Sequence, residues 1–107
     1  MKLNSKVLDK LMNSDIIKTV YPIIDKIETI VEDDGDDVNP FYEIIVKIYL
    51  NDDSITLNNM YKKGMDPHYL VDFHMMDLLR VISVSPRDIT QIYINVFDTE
   101  GNRIYPS

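Results

Sequence analysis

The chain contains no cysteine, no tryptophan and no alanine, and only three glycines among its 107 residues. Without cysteine there is no thiol nucleophile, no cysteine-ligated zinc or iron–sulfur centre and no disulfide framework. Gly35, Gly64 and Gly101 are isolated, so no glycine-rich loop cradles a phosphate and neither a P-loop nor a dinucleotide fingerprint is present. None of Ser5, Ser14, Ser54, Ser83, Ser85 and Ser107 stands in a nucleophile-elbow sequence. Carboxylates are plentiful, but a glycosidase-type pair also needs a cleft with sugar-stacking aromatics, and a chain lacking tryptophan is a poor host for one. No apolar run approaches the roughly 18 residues of a membrane-spanning helix. The N-terminus alternates charged and apolar residues where a secretory signal would be continuously apolar. These absences lead to the expectation of a cytoplasmic protein without cofactor, metal or membrane association.

What is present is unevenly distributed. Fifteen isoleucines, eight asparagines, eight lysines and seven tyrosines are the residues of A/T-rich codons, and with the missing alanine they point to a low-GC bacterium or a bacteriophage as source. That composition reports mutation bias, not function. The formal charge is −7, and nearly all of it is local. Residues 1–31 net +1 and residues 54–107 net −1, whereas 32–53 carry Glu32, Asp33, Asp34, Asp36, Asp37, Glu43, Asp52 and Asp53 against Lys47 alone. Such a cluster repels phosphate and attracts a basic patch within a Debye length of about 8–10 Å. Nucleic acid is therefore not an expected partner.

The length and the 45% hydrophobic content suit one α+β domain spanning 1–107. Val7, Leu8, Leu11 and Met12 recur at helical spacing and predict an amphipathic helix over 5–18, capped by Asn4 or Ser5 and ended by Pro22. Residues 23–31 fit either period, but β-branched density favours a strand with Ile27, Thr29 and Val31 on one face. Residues 42–50 alternate cleanly, with Tyr42, Ile44, Val46, Ile48 and Leu50 on one face and Glu43, Ile45, Lys47 and Tyr49 on the other. The acidic segment between the two runs reads as the loop of an antiparallel hairpin. Ser54 caps an expected short helix bearing Leu57, Met60 and Tyr61, with Gly64 just past its end. Asp66-Pro67 opens a stronger helix over 67–83 whose stripe is Val71, Met75, Leu78, Leu79 and Ile82, broadened by Leu70 and Phe73. A second hairpin follows, a strand over 89–97 and a short return at 103–105. The expected architecture is an N-terminal helix and two β-hairpins forming a mostly antiparallel sheet of about four strands, packed by the second long helix.

Few constellations carry chemistry. With Gly35 as position 6 of a calcium loop, Ile30 and Phe41 fall where the first and last ligands belong, so EF-hand spacing fails. An irregular cation site stays open beside the plainer reading of a solvated hairpin tip. His68 and His74 are separated by about 600° of helical rotation and cannot readily share a metal. His68 reaches Asp72 at i+4, and His74 borders the apolar stripe as a half-buried core histidine would.

The leading expectation is a small non-enzymatic accessory or regulatory protein that binds another protein. Asp33, Asp34, Asp36 and Asp37 would steer the encounter, and Ile45 and Tyr49 would supply buried area on the second sheet face. If the first helix leaves Ile23, Ile45 and Tyr49 uncovered, a homo-oligomer also follows. An acidic nucleic-acid mimic that inhibits a basic protein, and a small enzyme using His74 or His68, are the alternatives.

Overall fold

The computed structural model describes residues 2–36 and 38–106. Asn4 accepts a hydrogen bond from the Val7 amide at 2.9 Å and starts α1 (Ser5–Met12). The helix expected over 5–18 does not run through. Asn13 leaves helical geometry at φ −101°, Ser14 is extended, and α2 (Asp15–Val20) begins afresh. The break follows from what Asn13 binds: its carboxamide accepts from the Ile27 N–H at 2.9 Å and donates to the Ile27 carbonyl at 2.7 Å. The new helix direction buries Ile17 and leaves Ile16 and Val20 exposed.

β1 (Ile24–Asp33) and β2 (Tyr42–Leu50) form the expected antiparallel hairpin, with Ile27 opposite Ile48 and Ile30 opposite Ile45. Tyr42, Ile44, Val46, Ile48 and Leu50 are all buried while the residues between them are half-buried, the period of a strand covered on one side. β1 lies at the sheet edge, and α1 seals it. Ser5, Asp9 and Asn13, four residues apart on one helix face, accept hydrogen bonds from the amides of Val31, Thr29 and Ile27 at 2.9, 2.6 and 2.9 Å. Asp9 also accepts from the buried Thr29 hydroxyl at 2.7 Å.

Residues 51–66 form turns, not the short helix expected after Ser54. Asp52 accepts from the hydroxyl and amide of Ser54, which holds its carboxyl below the usual range. Ile55, Met60 and Met65 are buried at five-residue spacing, while Leu57 and Tyr61, expected to share a packed face with Met60, are exposed. Five residues is not a helical repeat, so the segment winds around its anchors as successive turns.

Asp66 caps the next element by accepting from the Tyr69 amide at 3.1 Å. From there α3 (Pro67–Tyr69), a π-helical segment (Leu70–Met75) and α4 (Met76–Val81) run without interruption. This helix ends two residues before the expected limit, and Ser83 then takes a φ of 64°. The wider π turns bury Leu70, Val71 and Met75, and α4 buries Leu79. Phe73, assigned to that stripe by spacing, lies outside at 56% exposure. No helix among the described residues is long and apolar enough to cross a membrane.

A 3-10 turn (Pro86–Asp88) leads into β3 (Ile89–Phe97), and Gly101, at φ 84°, helps turn the chain into β4 (Arg103–Tyr105). The strand order is β1-β2-β3-β4, and β3 pairs antiparallel with β4. β2 and β3, however, are parallel, so the α+β fold has a mixed sheet in place of the mostly antiparallel one expected. The reason is the connection: residues 51–88 with their helix are long enough to carry the chain back to the starting end of the sheet. The helices and the buried strand residues, including Leu8, Met12, Ile17, Ile44, Ile48, Met75, Leu79 and Val96, form one core.

Replacing Asp9 with Ala strands the amide and hydroxyl of Thr29 and should cost about 2–3 kcal/mol in urea unfolding, with Asp9→Asn losing clearly less. Burial, with Asp66 and Tyr69 nearby, pushes the Tyr21 phenol from 10.0 up to about 12. The folded chain then holds a proton that the unfolded chain releases, so Tyr21's contribution is intact below pH 10 and is lost as pH rises towards 12. Unfolding curves collected across that range should fall less steeply for Tyr21→Phe than for the wild type.

Candidate functional site

The helices cover one side of the sheet, and the alternate side chains of β1, β2 and β3 point the other way. Strand register arranges them in rows: Glu32, Glu43 and Gln91; Ile30, Ile45 and Tyr93; Glu28, Lys47 and Asn95; Lys26, Tyr49 and Phe97. The second row is apolar, with Ile30 39% and Tyr93 49% exposed on either side of a half-buried Ile45. In the fourth row Tyr49 stacks on Phe97 at 4.9 Å between ring centroids, and the Lys26 ammonium lies 5.0 Å above the Tyr49 ring. Lys26 also contacts Glu28 at 3.1 Å, and that bond holds its ammonium pKa above the ordinary value. Tyr49 is thus fixed by neighbours on both strands, whereas Ile45 presents its surface between two exposed side chains.

The acidic hairpin meets this face at its Glu32–Glu43 end. Residues of the loop hold their own backbone: Asp33 accepts from the Gly35 amide at 3.1 Å, and Asp36 accepts from Val38 and Asn39 at 2.9 and 2.6 Å. Asp33 also pairs with Lys2 at 3.6 Å. Two of the aspartates expected to steer a partner therefore shape the loop, and Asp37 lies outside the described residues. Asp34 is different. One carboxylate oxygen each from Asp34, Glu32 and Glu43 lie within 4.8 Å of one another, with Asp34 and Glu32 exposed. Three convergent carboxylates are the donor set that an ammonium, a guanidinium or a hard cation takes.

Glu32 and Glu43 were not among the residues singled out in the sequence. The signal that finds them is the hairpin register, which makes them direct cross-strand neighbours, while Asp34 follows the end of β1 with its amide donating to the Phe41 carbonyl at 2.8 Å.

The histidines are apart from this face. The His68 imidazole meets the Tyr105 hydroxyl through Nε2, not Asp72 as its i+4 spacing suggested. His74 is half-buried, its ring set edge-on to Tyr21 and Tyr69 at 5.6 and 5.5 Å, and its buried Nε2 has no hydrogen-bond partner. It borders a groove with Ile16, Ile17, Asp77, Leu78 and Val81, in which the Asp77 carboxylate is engaged by Arg80 at 2.7 Å.

No known family model, characterised protein or solved structure matches the chain.

The loop geometry depends on a close approach at Gly35, where a Cβ would stand 2.1 Å from the Asn39 carbonyl oxygen and 2.6 Å from the Phe41 nitrogen. Gly35→Ala should consequently destabilise the chain by about 1–3 kcal/mol. In heteronuclear NMR spectra its largest amide shifts should fall within residues 33–41 and not in β3 or β4.

Proposed function

We propose that the chain is a non-enzymatic accessory or regulatory protein that binds a protein with a basic surface, using the uncovered sheet face and its acidic end. The observation that carries this reading is the continuity of the carboxylates of Glu32, Asp34 and Glu43 with the apolar row Ile30, Ile45 and Tyr93. Like charges directly opposite on neighbouring strands oppose the fold by about 0.2–1 kcal/mol. A lysine or arginine from a partner relieves that repulsion and gains a charge-assisted bond, while the adjacent apolar row supplies area removed from water. The recognition would then divide into long-range steering by the acidic end and short-range packing on Ile45 and Tyr93. Tyr49 contributes a rigid border, because its ring is already committed to Phe97 and Lys26.

The reading makes stability and binding respond in opposite directions. Glu43→Gln should leave the fold slightly more stable, by about 0.5 kcal/mol, because it removes a like-charge pair. The same change should weaken capture of the bound protein from lysate of the source cells. Ile45→Lys should abolish that capture with the circular-dichroism spectrum unchanged, and capture should decline as salt is raised. A protein retained equally by wild type, Glu43→Gln and Ile45→Lys would show that this face is not the binding surface.

A further inference from the structure

The two edges of the sheet are treated differently. Ser5 and Asp9 of α1, with Asn13 at its C-cap, occupy the outward amides of β1. At the other edge, β4 pairs with Val96 and Phe97 only, so residues 89–95 of β3 have β2 on one side and, among the described residues, no strand on the other. Beyond Tyr105 comes Pro106, which brings no amide to extend β4 along that edge. A groove lined by Ile45 and Tyr93 of the uncovered face reaches this edge beside Asn95, Arg103 and Pro106. The hydrogen bonds of the described residues include none from a side chain to the outer backbone of 90–95.

The segment also lacks the usual protections of an exposed edge. From Ile89 to Phe97 there is no charge, no proline and no glycine, in a chain that is 27% charged. We infer that this edge pairs with the same edge of a second copy, antiparallel about a two-fold axis near Ile92, giving one continuous eight-stranded sheet. That axis sets Ile92 against Ile92, Tyr93 against Gln91 and Ile94 against Thr90, so no like charges meet at the join. Pairing over 90–94 stops short of Val96 and Phe97, where β4 sits. Opposite that stretch the second copy presents the 3-10 turn Pro86–Asp88 and not strand. The apolar row Ile30, Ile45 and Tyr93 ends at this edge, where the axis sets Tyr93 beside the uncharged Gln91 of the other copy.

A strand from another protein would satisfy the same backbone groups, but the second copy is favoured by the absence of charge. Each chain carries −7, concentrated in residues 32–53, and the pairing brings together the segments free of it. This inference does not depend on the partner-binding reading, since the acidic cluster stays outside the join. Its salt response has the opposite sign: screening should strengthen contact between two acidic chains, whereas it weakens contact with a basic partner.

Sedimentation velocity of the wild-type chain from tens to hundreds of micromolar, in low and high salt, reads the assembly directly. The expected result is a shift from a 12.5 kDa species to one of twice that mass with rising concentration, and further with rising salt. Because the chain has no native cysteine, single replacements report proximity cleanly. Under mild oxidant Ile92→Cys should form a reducible covalent dimer, since directly opposed residues have Cβ atoms about 4.5–5.5 Å apart. Val81→Cys, at a site 80% exposed on α4, should remain monomeric. A wild-type chain that stays at the single mass in every condition overturns the inference, and so does crosslinking of the Val81 variant as efficient as that of the Ile92 variant.

Discussion

The alignment of Ser5, Asp9 and Asn13 with the edge of β1 is the contact on which the arrangement of the domain depends. Four residues of α-helix rise about 6 Å, and two residues of strand rise about 6.8 Å. Over three positions the mismatch stays small enough for every second amide of β1 to find an acceptor on α1. An apolar helix stripe resting on a sheet tolerates sliding and rotation, but three hydrogen bonds of 2.6–2.9 Å at fixed positions do not. They set the direction of α1, end it at Asn13 and thereby give α2 the turn that brings Ile17 and Tyr21 into the core. They also block strand addition at the longer of the two sheet edges.

With that edge sealed, β2 becomes the centre of the structure. It is paired antiparallel to β1 and parallel to β3, and all five of its alternate residues are buried under the helices. Most of the apolar burial is concentrated on this side, and the opposite face contributes little to holding the chain together. Substitutions there meet few packing constraints. A residue set as unfavourable as Glu32 facing Glu43 is therefore tolerated by the fold.

Much of this organisation is legible from residues alone, and the failures have identifiable causes. The alternation in 42–50 and the β-branched density of 23–31 read through to two paired strands, because register with one buried face leaves a period of two in the sequence. Asp66-Pro67 and the turn at Gly101 are equally local signals, and both appear where expected. The break at Asn13 is not local: it follows from a hydrogen bond to Ile27, fourteen residues on. The parallel pairing of β2 and β3 depends on the route of residues 51–88 and leaves no mark on either strand. A helical wheel of 3.6 residues per turn puts Phe73 on the packed stripe, and the π-helical segment Leu70–Met75 departs from that period and turns it outward. For the site, Ile45 and Tyr49 were placed on the correct face by alternation, but the convergence of Glu32, Asp34 and Glu43 is a property of the register and not of the charge run.

Counted along the chain, the excess charge reads as a solvated loop of aspartates, interchangeable and projecting. In the fold, Asp33 and Asp36 hold backbone amides and Asp33 meets Lys2, so their charge is partly used in shaping the hairpin. Among the described residues of the hairpin, the carboxylates that converge are those of Glu32, Asp34 and Glu43, two of them in strands and hence held in position by the ladder. A charge on a strand loses less conformational entropy on binding than one on a free loop tip. On the proposed reading, the acidic end of the sheet would offer a partner's cationic group a defined place, with the apolar row Ile30, Ile45 and Tyr93 setting the side from which it approaches.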